Sequence, residues 1–153
     1  MRLNLVRVSF LFLLTFNWFN GTSQCLTDLR KILPENGNER NLSSSHIATA
    51  GDYMVVGNTQ DDTTSFVSGG AAYLFKKTPA GWDYVGLLTS SKPSKYLQFG
   101  YRVAMDSLAE TIAIVSFGYQ LSTTLSEVYV FQRPNTGWGS MTETDRIKLP
   151  DTT

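Results

Sequence analysis

The chain has 153 residues, with 13 basic and 13 acidic side chains, one histidine, one cysteine and 42% hydrophobic residues. That length suffices for a buried core, and the charge balance supplies no basic surface for nucleic acid or an anionic membrane. A single cysteine excludes an internal disulfide, and one histidine with one cysteine would leave a zinc site dependent on carboxylates.

Arg2 and Arg7 precede an apolar run over residues 8–16, and Gly21-Thr22-Ser23 follows. This order predicts a secretory signal peptide over 1–24, too short and too interrupted at Asn17 to span a membrane. Its removal leaves 11 basic against 13 acidic residues, and places the chain outside the cell or at the cell surface. Cys25 follows at once. A lipidated N-terminal cysteine is one reading, but the bulky Gln24 before it favours a free thiol or half of a disulfide with a partner outside the chain. Asn41-Leu42-Ser43 is a glycosylation sequon.

From there on, every apolar run is of strand length and none continues to helix length. Turn formers separate them: Ala50-Gly51-Asp52, residues 58–70, and Thr78-Pro79-Ala80-Gly81, then residues 106–110, residues 117–126, and Pro134-Asn135-Thr136-Gly137. The predicted strands cover about 45–50, 53–57, 70–76 and 82–89, then 101–105, 111–116, 126–132 and 144–149. Consecutive strands joined by such turns make an antiparallel meander.

The two sets are copies. Tyr73 and Tyr129, Phe75 and Phe131, and Trp82 and Trp138 are each 56 residues apart, as are Ile47-Ala48 and Val103-Ala104. A fixed period of this size marks a repeated supersecondary unit, and four strands per period is one blade of a β-propeller. The expected architecture is therefore all-β: two four-stranded antiparallel blades of an incomplete ring. Arg30-Lys31-Ile32-Leu33-Pro34 echoes Arg146-Ile147-Lys148-Leu149-Pro150, which adds a lone closing strand. The organisation reads as signal peptide 1–24, N-terminal segment 25–44, first repeat 45–98 and second repeat 99–153. A ring needs about four to eight blades, so the sequence reads as a fragment or truncated product. Exposed blade faces and edges then require missing blades or self-association.

Gln98-Phe99-Gly100-Tyr101-Arg102-Val103-Ala104, followed by an apolar run, a Tyr-Val-Phe strand and Gly-Trp, resembles the FG-GAP repeat. That family includes the propellers of integrin alpha chains, glycosylphosphatidylinositol-specific phospholipase D and many secreted bacterial proteins. The bacterial form is most similar, through Val55-Val56-Gly57-Asn58 and Gly70-Ala71-Ala72-Tyr73-Leu74-Phe75. The chain departs from the pattern where Ser43-Ser44 replaces the first Phe-Gly and where Ser116-Phe117-Gly118 replaces Gly-Ala-Pro. The resemblance implies a propeller, and in many integrin-type repeats Ca²⁺ in an Asp-rich loop between the first two strands. Here those turns are Ala50-Gly51-Asp52-Tyr53 and residues 106–111, short of the six to eight or so oxygen ligands Ca²⁺ takes, so no cofactor is expected.

Antiparallel connectivity places the loop between the second and third strands at the same end as the connection to the next blade. Polar loops with exposed aromatics on a rigid scaffold are usual seats of recognition. That end carries the candidate ligand-binding residues Gln60, Asp61, Asp62, Thr63, Lys92, Lys95 and Tyr119, with Ser65-Phe66 and Tyr96 beside them. Blander roles compete at each. Adjacent carboxylates such as Asp61-Asp62 in a Thr-rich loop are more often solvated than catalytic, and Lys92 and Lys95 more often keep a loop soluble. Trp82 and Trp138 suit a structural role at the start of the outer strand better than sugar stacking. Tyr73, Phe75, Tyr129 and Phe131 alternate onto one side of a strand, where blades pack.

Catalysis finds no motif. His46 stands alone beside Ile47 at a strand start, and Gly69-Gly70 leads into a strand instead of opening a phosphate-binding helix. The expectation is a non-enzymatic secreted binding or adhesion module for an extracellular protein or glycan, without nucleic acid or a membrane span. The competing readings are an accessory propeller of a larger secreted hydrolase, or a truncated product without activity of its own.

Overall fold

The computed structural model describes residues 46–62, 64–120 and 123–148, all within the unit Lys31–Thr153. The expected signal peptide, Cys25, the Asn41 sequon, the closing strand expected at Arg30–Pro34, Ser43-Ser44 and Thr63 lie outside the described residues, as do the side chains of 119–120 and 123–125. Among the described residues there is no helix, and hence none long and apolar enough to cross a membrane.

The first repeat forms β1 (His46–Ala50), β2 (Tyr53–Asn58), β3 (Ala71–Thr78) and β4 (Gly81–Thr89). Each pairs antiparallel with the one before it, so the predicted meander stands. The second repeat gives β5 (Phe99–Met105), β6 (Thr111–Gln120), β7 (Thr123–Gln132) and β9 (Asp145–Lys148), in that sheet order. A two-residue strand, β8 (Met141–Thr142), comes between.

β8 is the first departure from expectation. It pairs in parallel with β4, Leu88 opposite Met141 and Thr89 opposite Thr142, and so becomes a fifth strand of the first sheet. Trp138 therefore precedes a strand of the neighbouring blade and not the outer strand of its own, whereas Trp82 lies inside β4. Identical Gly-Trp dipeptides reach different positions because the exposed edge of β4 captures the chain before it returns to β7. A β-edge with unpaired backbone groups favours such capture. Ser140 reinforces it, its hydroxyl accepting from Leu87 N–H at 3.0 Å.

The second departure is the β6–β7 hairpin. Residues 117–126, expected as turn, continue both strands to Gln120 and Thr123, with Tyr119 opposite Thr124. Phe117, Tyr119, Thr123 and Thr124 are β-formers, and a two-residue connection is the commonest way to close a hairpin. The Ser, Gly and Gln between them obscure that alternation in the sequence.

The core lies in the seam between the sheets. Val55, Ala72, Leu74 and Leu88 of the first blade meet Phe99, Ile112, Ile114, Tyr129, Phe131 and Trp138 of the second, with Leu97 from the connection. Phe99 meets Tyr129 edge-on at 5.0 Å between centroids and Phe131 at 6.1 Å, the geometry the ring quadrupoles favour. Tyr73 and Phe75, the repeat equivalents of Tyr129 and Phe131, turn to the other face of the first blade and join Met54, Val56, Trp82, Tyr84 and Leu87. All four aromatics are buried, but only the second pair lies in this seam.

The Phe-Gly dipeptide has a physical reason. Phe99 fills the seam, and Gly100 (φ 89°) brings backbone against backbone: a Cβ on Gly57 would stand 2.1 Å from Gly100 O, and one on Gly70 2.2 Å from Phe99 O. Only glycine permits that approach. Trp138 is also structural, its Nε1 donating to Ala109 O at 2.8 Å and so tying the β5–β6 turn to the segment before β8.

Candidate functional site

The β2–β3 loop and the β4–β5 connection meet at one end of the blades, as the connectivity requires. Three backbone bonds join them: Tyr96 N–H to Val67 O at 2.9 Å, Gln98 N–H to Ser68 O at 3.1 Å and Phe99 N–H to Gly69 O at 3.0 Å. The loop is itself closed by Gly70 N–H donating to Asp61 O at 3.0 Å and Ser65 N–H to Asp62 O at 2.9 Å. Compact surface loops closed at their ends in this way are often functional.

The candidate residues divide by burial. Gln60, Asp62, Lys92 and Lys95 are exposed. Asp61 is not: it is fully buried, and the Tyr73 hydroxyl donates a short hydrogen bond to its Oδ2, with Asn58 Nδ2 at 3.5 Å. The solvated carboxylate pair expected from the sequence is thus one buried and one exposed group. Burying a carboxylate requires hydrogen-bond donors, and Tyr73, twelve residues away, supplies the one adjacency cannot reveal. Asp62 accepts from Ser68 N–H at 2.8 Å through Oδ1. Tyr119 lies in the β6 strand and not in a loop, and Thr63 is outside the described residues.

Three exposed apolar side chains belong to these two segments: Phe66, Val67 and Tyr96, at 40%, 53% and 42% exposure. Phe66 and Tyr96 are legible as aromatics in polar loops, but Val67 carries no sequence signal. Lys95 Nζ lies 4.7 Å from the Tyr96 ring centroid, a cation–π contact. The backbone here is strained. Of the five non-glycine residues with left-handed φ among those described, four belong to these two segments: Ser65 (64°), Ser68 (49°), Tyr96 (60°) and Gln98 (50°). Each costs about 1–3 kcal/mol and persists only where surrounding contacts over-determine it.

A second polar group lies at the seam. Glu127 accepts from Tyr129 OH at 2.8 Å and from Arg146 Nη1 at 3.1 Å, with Lys148 Nζ at 3.9 Å. Burial pushes the Glu127 carboxyl up, but the Tyr129 hydroxyl, Arg146 and Lys148 together outweigh it and hold the group below its ordinary range. Burial, and then the Glu127 carboxylate, raise Tyr129. Glu143 reaches across to the first blade's exit, accepting from Ser91 N–H at 2.8 Å and Ser91 Oγ at 2.7 Å. The Glu127 cluster ties β7 to β9 within the second blade, and the Glu143–Ser91 contacts tie that blade to the first. Near the inner edges, Arg102 Nη1 donates to His46 Nε2 at 2.8 Å, so His46 is bonded to the residue one repeat away.

Neither turn between first and second strands gathers carboxylates. Asp106 Oδ1 is engaged by Glu110 N–H at 2.7 Å and Thr111 N–H at 2.9 Å. Among the described residues no group of three or more His, Cys, Asp or Glu side chains converges.

The comparison with protein families identifies residues 26–75 as an FG-GAP repeat. The matched stretch ends on Phe75 and contains β1, β2 and the β2–β3 loop. No curated protein and no solved structure matches the chain.

Proposed function

We propose, from the FG-GAP repeat matched over residues 26–75 and an all-β fold compatible with propeller blades, that the chain is a secreted or cell-surface binding module. It recognises an extracellular protein or glycan through the end formed by the β2–β3 loop and the β4–β5 connection. It makes and breaks no bond and holds no resident cofactor. The observation that carries the reading is the coincidence of strain and exposure. Four left-handed residues fix the backbone where Phe66, Val67 and Tyr96 are presented to solvent. Backbone strain of this kind clusters at ligand clamps and binding loops, and a preformed loop spends less ordering entropy on association. Gln60, Asp62, Lys92 and Lys95 form the polar rim of the same surface.

The test is an array of extracellular proteins and glycans probed with the full chain and with a Phe66→Ala/Tyr96→Ala variant. Binding by the parent and its loss in the variant, at an unchanged urea midpoint, is the expected outcome. Binding retained in the variant places recognition elsewhere.

A further inference from the structure

The face of the second blade turned away from the seam is apolar and open. In register across β5, β6, β7 and β9 it carries one row of Ala104, Ala113, Val130 and Asp145 and a second of Arg102, Val115, Val128 and Ile147. Ala104 and Ile147 are exposed, the latter at 52%, and Ala113, Val115, Val128 and Val130 are only partly buried. In the first blade the same register positions are Val55, Ala72, Leu74 and Leu88, where the second has Ala113, Val128, Val130 and Ile147. Those four are fully buried in the seam. A contiguous apolar face left open in this way marks a contact between proteins.

An occupant does not seat here as the second blade seats on the first. That seat depends on three glycines, because a Cβ on Gly57, Gly70 or Gly86 would stand 2.1, 2.2 or 2.4 Å from backbone of the second repeat. The registers put Val115, Ser126 and Asp145 at those positions of the second blade. A side chain at each seat holds an arriving sheet at side-chain distance, about 10 Å, as in face-to-face sheet packing. Nor is the far face of another copy's first blade free to cover it, since Met54, Val56, Tyr73 and Phe75 are already buried.

The face complements itself. A two-fold axis along the strands lays β9 of one copy over β5 of the other, so that Val115 meets Val128, Ala113 meets the larger Val130, and Asp145 comes down on the strand that carries Arg102, each contact being made twice. Arg102 is exposed and gives one N–H to His46, with others to spare. A two-fold across the strands would instead set β5 over β5 and β9 over β9. Arg102 would then lie beside Arg102 and Asp145 beside Asp145, and like charges so placed are costly. We infer that this face docks a second copy of the chain, face to face about a two-fold parallel to the strands, as a closed dimer whose loop ends point the same way.

Sedimentation equilibrium of the full chain tests this, with monomer and dimer and nothing larger expected. Ile147→Glu, on an already exposed residue, raises the dimer dissociation constant about tenfold or more, and Val128→Glu at the centre of the face does the same. Arg102→Asp and Asp145→Arg each weaken the dimer about tenfold, and the double variant restores it to within about threefold of the parent, because the exchanged charges meet again across the two-fold. Val67→Glu, the same charge placed at the loop end, leaves the constant within about twofold. A chain monomeric throughout, a ladder of larger species, a dimer broken by Val67→Glu and not by Ile147→Glu, or a charge exchange without rescue overturns the inference.

Discussion

The two blades use the same strands but finish them differently, and their registers make the comparison residue by residue. His46 opposes Gly57 and Gly57 opposes Ala72; one repeat on, Arg102 opposes Val115 and Val115 opposes Val128. Asn58 opposes Ala71 as Ser116 opposes Glu127. Where the first blade has Gly57 and Ala71, the second has Val115 and Glu127. The small set receives the Phe99-Gly100 backbone, and its β2 stops at Asn58 and yields to the folded loop. The larger set continues as a ten-residue strand on each side of a hairpin, with Phe117 stacked on Tyr101 at 5.1 Å. Side-chain size at a few register positions thus decides whether a blade end becomes a seat and a loop or an extended hairpin. A Phe-Gly entry arriving at the second blade as this one does at the first would meet Val115 where Gly57 leaves room.

The largest expected effect comes from emptying the seat. Phe99→Ala removes a fully buried ring from between Tyr129 and Phe131 and should cost about 3–5 kcal/mol, read as a lower urea midpoint; a loss below about 1 kcal/mol would show that the seam closes without it. Gly57→Val, which gives the first blade the second blade's residue, should cost about 3 kcal/mol or more, because the obstacle is backbone. The reciprocal Val115→Gly should not produce a comparable loss, and equal losses would break the comparison. Trp138→Phe keeps most of the volume but strips Ala109 O of its donor, a cost of about 1–3 kcal/mol.

A smaller effect tests the charge cluster between β7 and β9 through pH. The folded Glu127 carboxyl lies below its unfolded value, so its contribution is full above the ordinary glutamate value near about 4.3 and is lost as pH falls through the depressed folded value. Denaturation midpoints measured across that window should fall more in the parent than in Glu127→Gln; parallel curves would show that the cluster adds nothing to stability. The smallest effect concerns the strained loop. Ser68→Gly relieves a left-handed residue at φ 49° and should leave stability within about 1 kcal/mol of the parent, while loosening the loop and weakening ligand binding. Unchanged affinity would show that strain at this position does not serve recognition.

Much of this architecture is legible in the chain. Period-2 alternation around Tyr73, Phe75, Tyr129 and Phe131 announces strands, and the recurrence at 56 residues makes them two copies of one unit. Turn residues at Gly51 and Gly81 close hairpins where local chemistry predicts. The candidate end was legible too, because alternating strand direction fixes which loops share it. What the sequence misread were features that depend on partners far along the chain. Asp61 looks solvated beside Asp62 until Tyr73 covers it, and Gly-Trp looks equivalent in both repeats until β4 takes up Met141 and Thr142.

Local rules act through neighbours a few residues apart, so the sequence by itself determined strand content, repeat length, the burial of the aromatic positions and the end at which the loops gather. Only tertiary packing decided that Gly57 faces Gly100, that Ser65, Ser68, Tyr96 and Gln98 are held left-handed, and that Phe66, Val67 and Tyr96 are left exposed on adjoining segments. Those outcomes are set by backbone contacts between the two blades, whose residues the chain keeps far apart until the sheets meet.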